Sequence, residues 1–464
     1  MSAISNATPS PEIQQNVQQL FENLQGNQAI SKYQLTMTKS MAAFYLWRLV
    51  LVSEMKKAEI VKVGSLPHLA KLAATGDESA RYNAIGALLT LAASPEIREK
   101  MCDSQLVTAC ARCLGYGHDR TKANAAQLLA LFGELSPLVP KLVPVLKQVL
   151  EASGSSDPGW ANGAATQACC LQVVRYIAVS PPGSAGLKDG QTWRPALLEV
   201  GAVPALVYAV EHGRLPDSRA HALVSLEALC SEKSVPEMLM QLNALPHFAK
   251  CLSDAHDESR AASASLLFTL STELERMESL LPAIPALVSM LNPKVPEPEG
   301  KKKPKKKKAP ALPPALAQGV RHATACLRHL SFLDDAKEDI VKCGAIPFVV
   351  KGLEFKKKGM DVEWFEYATG LLYNLAMMPE HTAALEEAKA PKYISKPLHE
   401  RWQIFLQSAE EEEEEEQTPF KTPGGRGTPG VSKIAPSRPG FGSSAQREYA
   451  RNTPVVSRTQ KVKD

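Results

Sequence analysis

Gly344-Ala345-Ile346-Pro347 opens, and Leu372-Tyr373-Asn374-Leu375-Ala376 closes, the segment from which the rest of this chain can be read. Each residue type in it has a physical job. A glycine just past the end of one helix accepts positive φ at little cost. A proline fits the first turn of the next helix, where no N–H is needed. The helix that follows the proline is apolar at helical spacing. The closing phrase reads as a second apolar helix, whose small residues allow close packing between neighbours.

Working outward, the opening phrase recurs as Gly64-Ser65-Leu66-Pro67, Gly201-Ala202-Val203-Pro204, Asn243-Ala244-Leu245-Pro246 and Pro282-Ala283-Ile284-Pro285. Degenerate copies lie near Asp103 to Val107 and at Lys141-Leu142-Val143-Pro144. Starting points near 64, 103, 141, 201, 243, 282 and 344 give intervals of 39, 38, 60, 42, 39 and 62 residues. The two long intervals carry insertions, at 153–162 with 181–192 (about 153–192 together) and at about 292–314. A polar link such as Thr75-Gly76-Asp77-Glu78 follows each apolar helix, and an Ala/Leu-rich inner helix comes next, as in Ala125 to Leu135 and Ala261 to Leu270. A unit this short cannot bury its own apolar face, so its neighbours must stack on it.

The pattern resembles the armadillo repeat, with its G-A-I-P-x-L-V opening, polar D-E link and A-x-x-A-L-x-N-L-A inner helix. Gly64–Ala92, Gly201–Cys230, Asn243–Leu270 and Gly344–Ala376 carry the resemblance best, and it covers roughly residues 40–400. It implies an all-α, right-handed superhelical solenoid of helix triplets, with a groove lined by the third helix of each repeat. The expected organisation is a polar segment and capping helix over 1–39, the repeat solenoid over 40–407, an acidic run over 408–416, and a disordered basic tail over 417–464. Within the first segment, Pro11 to Leu24 reads as the cap, with Ser10 as its N-cap and one stripe of Ile13, Val17, Leu20, Phe21 and Leu24.

The chain has 464 residues, 44% hydrophobic and 22% charged, which excludes wholesale disorder. Its net charge is +4, unevenly placed. Residues 293–308 hold eight Lys against two Glu, residues 410–416 are seven consecutive Glu, and residues 417–464 hold nine Lys/Arg against two acids. The body is therefore nearly neutral and the appendages carry the charge, a pattern of interaction segments. No apolar run is long enough to span a membrane: Met41 to Val52 is the most apolar and contains Arg48. The nine cysteines have mostly apolar neighbours, and no secretory signal precedes them, which points to reduced thiols in the cytosol or nucleus.

Lys301, Lys302, Lys303, Lys305, Lys306, Lys307 and Lys308 sit in a proline-rich insertion. They resemble a monopartite nuclear localisation signal, would equally bind a polyanion such as nucleic acid or a microtubule surface, and have the plain reading of a solvated loop. Thr418, Thr422, Thr428 and Thr453 each precede proline and resemble minimal sites for proline-directed kinases; a phosphate there would offset the basic tail. The Glu410–Glu416 run is a solubilising segment or an intramolecular competitor for a basic surface. Cys110-x-x-Cys113 lacks a second ligand pair and falls on one helix turn, so no metal and no cofactor is expected. No nucleotide-binding, zinc-protease or serine-hydrolase motif is present, and no catalytic residue or small-molecule substrate is expected.

The expected function is a non-enzymatic scaffold that binds an extended peptide or helix of a protein partner in its groove. By position on inner helices, Asn83, Asn124, Arg175, His221 and Asn374 are the expected groove residues. The Lys-rich loop and basic tail would anchor it to a polyanion such as microtubules or an axoneme, giving a cytoplasmic, cytoskeletal or ciliary address. The alternative is a nuclear scaffold imported through Lys301–Lys308, and after it a nuclear transport adaptor. Adaptors of that kind resemble one another in Trp-x-x-x-Asn pairs; here Ser79, Arg120 and Gly370 stand four residues before Asn83, Asn124 and Asn374.

Overall fold

The computed structural model describes residues 17–25, 32–154, 163–183, 187–188, 190–292, 312–354 and 362–393. Among these residues every regular element is an α-helix or a short 3-10 helix. The chain divides into two compact units, residues 1–270 with 295–320 and residues 271–294 with 321–464.

The first unit begins with helices Val17–Gln25 and Lys32–Val52, packed on each other, with Leu20, Phe21, Leu24 and Leu46 buried. Helix triplets follow. The first is Glu54–Lys62, Ser65–Thr75 and Glu78–Leu91, and the second is Pro95–Met101, Ser104–Tyr116 and Asp119–Gly133. The third has Val139–Leu142, Leu146–Gly154 and Gly163–Ala178. Arg194–Glu199, Ala202–His212 and Pro216–Leu229 make the fourth, and Ser234–Gln241, Leu245–Cys251 and Asp257–Leu270 the fifth. Leu274–Leu280 and Ile284–Met290 belong to the second unit, residues 314–320 of helix Pro314–Leu330 fall in the first unit and 321–330 in the second, and a further triplet of the second unit comprises Asp334–Lys342, Ala345–Glu354 and Val362–Ala376. A short first helix and two longer ones per unit is the armadillo arrangement, and the fold is an all-α armadillo-type solenoid.

The recurring phrase does what its chemistry requires. Gly64, Gly201 and Gly344 separate first from second helices at φ of 81°, 74° and 78°, the left-handed region open to glycine. In the copy without glycine, Asn243 takes the position at φ 50°, as the residue type after glycine best suited to it. The polar links cap the helices after them: Asp77 accepts from Ala80 N–H at 2.8 Å, and Asp103 from Leu106 N–H at 2.7 Å.

Successive inner helices are tied by hydrogen bonds at one constant spacing. Trp47 Nε1 donates to Thr90 Oγ1 (3.0 Å), Asn83 Nδ2 to Ser40 Oγ (3.2 Å), Thr121 Oγ1 to Glu78 (2.5 Å), Ser259 Oγ to Pro216 O (2.9 Å) and, in the second unit, Asn374 Nδ2 to Ser331 Oγ (2.9 Å). Each pair is 43 residues apart, so the structural register runs slightly longer than the period of the opening phrase. The Leu side chains between these ties, including Leu88, Leu91, Leu128, Leu129, Leu226, Leu229, Leu266 and Leu267, are fully buried, which supplies the apolar burial that a lone repeat lacks.

One helix crosses an expected boundary. Residue 40 falls inside helix Lys32–Val52, because Met41 to Val52 is the C-terminal half of a longer helix. Between the segments 153–162 and 181–192 that lengthen the third interval, Gly163–Ala178 is the inner helix of the third repeat, with Leu171, Val173, Val174 and Ile177 buried. Of the insertion at 292–314, residues 293–311 lie outside the described residues, as do the acidic run and the basic tail.

Candidate functional site

In the first unit the inner helices lie side by side in chain order, Lys32–Val52, Glu78–Leu91, Asp119–Gly133, Gly163–Ala178, Pro216–Leu229 and Asp257–Leu270. One face of each is core; the residues left exposed or half-buried recur every three or four positions. On Asp119–Gly133 they include Arg120, Asn124, Gln127 and Leu131. On Gly163–Ala178 they include Ala168, Gln172, Arg175 and Tyr176, and on Pro216–Leu229 they include Asp217, His221, Val224 and Ala228. This stripe lies on the inner-helix face where the sequence reading expects a groove.

Its middle is lined with amides. Asn124 is half-buried and Gln127 exposed, and neither side chain makes a hydrogen bond to the described residues. On the next helix Gln172 Nε2 donates to Tyr176 Oη at 2.9 Å, which leaves the Gln172 carbonyl oxygen as a free acceptor. A primary amide offers both a donor and an acceptor, the pair of functions that an extended backbone presents in reverse.

Beside these amides, Arg175 Nη1 lies 3.2 Å from His221 Nδ1 on the neighbouring helix. Burial, and then the nearby Arg175 guanidinium, pushes the His221 imidazole down to about 4. The ring is therefore neutral near pH 7, and Nδ1 accepts from the arginine.

The five expected groove residues separate into different roles. Asn124, Arg175 and His221 stand together on the groove stripe of three consecutive inner helices. Asn83 is half-buried and directs its amide to the carbonyl and hydroxyl of Ser40, both at 3.2 Å, so it ties two helices. Asn374 belongs to the second unit and is only 5% exposed; its amide reaches Ser331 Oγ at 2.9 Å and Arg328 O at 3.4 Å. That burial corrects its expected role: the side chain holds two inner helices together and does not line a surface. The sequence reading missed Gln127, Gln172 and Tyr176. The first stands three residues from Asn124 and the second three from Arg175, so helical spacing was the signal available.

Other features do not converge on chemistry. Cys110 and Cys113 are buried in helix Ser104–Tyr116; burial raises the Cys110 thiol well above its ordinary value and Cys113 to about 12. Among the described residues no group of three or more His, Cys, Asp or Glu side chains is placed to hold a metal. A pocket of about 440 Å³ beside Ala202–His212 and Leu245–Cys251 holds the ion pair of Arg219 with Asp254 at 2.7 Å and sets the His247 ring 3.7 Å from Glu211. No helix among the described residues is long and apolar enough to cross a membrane. Lys301–Lys308 and the four Thr-Pro sites lie outside the described residues.

Comparison with known proteins adds to the fold. No protein-family model matches the chain, and no curated protein does. Among solved structures, an engineered protein aligns over 84% of this chain and 98% of its own, at 17% identity and a TM-score of 0.54. A designed armadillo repeat protein aligns over 55% of this chain and 100% of its own (16% identity, TM-score 0.44). Computationally designed armadillo repeat proteins for modular peptide recognition align over 55% and 99% (16% identity, TM-score 0.45). The first of these likenesses supports the repeat architecture.

Proposed function

We propose that this chain is a non-enzymatic interaction scaffold that holds an extended segment of a partner protein along the inner-helix face of its first unit. The observation that carries this reading is the row of amides at Asn124, Gln127 and Gln172, solvent-facing at helical spacing on consecutive inner helices. A peptide laid across them would exchange its backbone N–H and C=O groups for side-chain amides without a fixed sequence requirement, and the flanking Leu131, Tyr176 and Val224 would take apolar side chains. Panning the full-length chain against a phage-displayed library of random twelve-residue peptides tests it. Selected peptides should slow backbone hydrogen exchange in Asp119–Gly133, Gly163–Ala178 and Pro216–Leu229. Protection confined to other segments would overturn the reading.

The anchoring part of the proposal rests on composition. Seven lysines between 301 and 308 and the basic segment 417–464 would attach the scaffold to a polyanionic structure such as a microtubule or an axoneme, placing it in the cytoplasm. Direct binding of this kind loses affinity steeply with salt because counterions are released. Co-sedimentation with microtubules that is insensitive to salt, or unchanged after Lys301–Lys308 are replaced by alanine, would remove this part.

A further inference from the structure

Three arginines of the first unit meet carboxylates: Arg98 with Glu134, Arg219 with Asp254 and Arg260 with Asp257, at 2.5, 2.7 and 3.3 Å. Arg175 does not. No carboxylate among the described residues lies within ion-pair distance of it, and its one side-chain partner is the His221 ring at 3.2 Å. A guanidinium carries five N–H donors in a planar fork and stays charged at any working pH. Accepting one bond from it, the neutral imidazole leaves the positive charge uncompensated and fixes the fork on the groove side of Gly163–Ala178. Partial burial strips water from that charge, which raises the gain on meeting an anion. Gln172, one turn back on the same helix, and Asn124 and Gln127, on the preceding helix, stand where the backbone on either side of such an anion would run.

We infer that Arg175, held by His221, is the receptor for an acidic side chain of the bound segment, so that the scaffold selects extended peptides with an Asp or Glu seated between the amide row and helix Pro216–Leu229. The inference rests on the groove reading above and adds the chemistry of the partner. Arg175 takes the carboxylate in its fork. His221 is a positioning residue, whose Nδ1 holds the guanidinium without neutralising it.

The test uses full-length protein and the same random twelve-residue library, panned in parallel against wild type and Arg175→Met. Wild-type selections should be enriched in Asp or Glu at one register, and the Arg175→Met selections should lose that enrichment. One selected peptide and its Glu→Gln (or Asp→Asn) counterpart are then titrated by fluorescence anisotropy. Wild type should prefer the acidic peptide by about tenfold, the yield of one charge-assisted fork. Arg175→Met should bind the two within about twofold, and Arg175→Lys should recover only part of the preference. His221→Phe should reduce the ratio of acidic-peptide to neutral-peptide affinity, which a general loss of structure, weakening both peptides alike, would not do. Peptides that bind the groove without acidic enrichment would overturn this inference and leave the groove reading standing. Acidic enrichment that survives in Arg175→Met would also overturn it, by assigning the charge to the Lys-rich loop. Peptides that protect none of the three inner helices would remove both.

Discussion

Asn374 and Asn124 occupy inner helices of the same kind, and the structure gives them opposite sensitivities to alanine. Asn374 is 5% exposed, with its Nδ2 on Ser331 Oγ at 2.9 Å and near Arg328 O at 3.4 Å. Alanine there removes one good and one long hydrogen bond from a buried site and leaves a small void. A buried hydrogen bond contributes about 1 kcal/mol net, and stranding its partners adds a comparable penalty, so Asn374→Ala should cost about 2 kcal/mol. Asn124 contacts no polar group of the described chain. Its replacement should fall within about 0.5 kcal/mol of wild type, offset further by the better helix propensity of alanine. Urea unfolding of both full-length variants measures the difference. Hydrogen exchange locates it: Asn374→Ala should speed exchange in Pro314–Leu330 and Val362–Ala376, and Asn124→Ala should leave Asp119–Gly133 unchanged. Equal loss at both positions, or none at Asn374, would refute the division between tie and surface residue.

Further expectations follow from packing and charge. A Cβ at Gly86 would come within 2.7 Å of the Trp47 ring. Gly86→Ala should therefore destabilise by about 1 kcal/mol despite its helix gain, with a red shift of tryptophan emission as Trp47 moves off Thr90. Arg98 is 6% exposed and donates to Ala92 O (2.8 Å), Leu131 O (2.9 Å) and Glu134 (2.5 Å); Arg98→Met should cost about 3 kcal/mol in thermal or urea unfolding by stranding both carbonyls. Burial, then a neighbouring arginine, lowers His221 and His329 from 6.5 to about 4. Between these values the unfolded chain binds protons that the folded chain does not, so their stabilisation is complete above pH 6.5 and is lost as pH falls towards 4. Partial exposure of His221 limits its share to about 1–2 kcal/mol, and His221→Asn should flatten that part of the stability profile measured by urea unfolding from pH 7.5 to 4.5.

The architecture was legible because it is written in residues with few alternatives. Gly64, Gly201 and Gly344 mark backbone turns that other residues resist, and the structure finds all three at positive φ. Prolines mark first turns, and the Ala/Leu phrases mark inner helices. The third repeat is opened only by the degenerate phrase Lys141-Leu142-Val143-Pro144, and its inner helix, Gly163–Ala178, stands between the two segments, 153–162 and 181–192, that lengthen that interval. The site was only half legible. Helical spacing could place Asn124, Arg175 and His221 on inner helices, but Asn83 and Asn374 carry the same residue type for a different job. Which asparagine faces solvent depends on where the preceding repeat sets its serine, Ser40 or Ser331, 43 residues earlier. That tertiary fact has no local signature. The uncompensated charge of Arg175 was likewise invisible, since it is defined by the absence of a carboxylate in space rather than in sequence.

The central claim is that the inner-helix face of the first unit holds an extended peptide through its amides. The most direct measurement is an anisotropy titration of one library-selected twelve-residue peptide against full-length wild type and the Asn124→Ala/Gln127→Ala double variant. Removing two amides that contact only solvent in the free protein should weaken binding by about tenfold or more while the urea midpoint stays at its wild-type value. Undiminished affinity in the double variant would contradict the account and place peptide binding elsewhere on the chain.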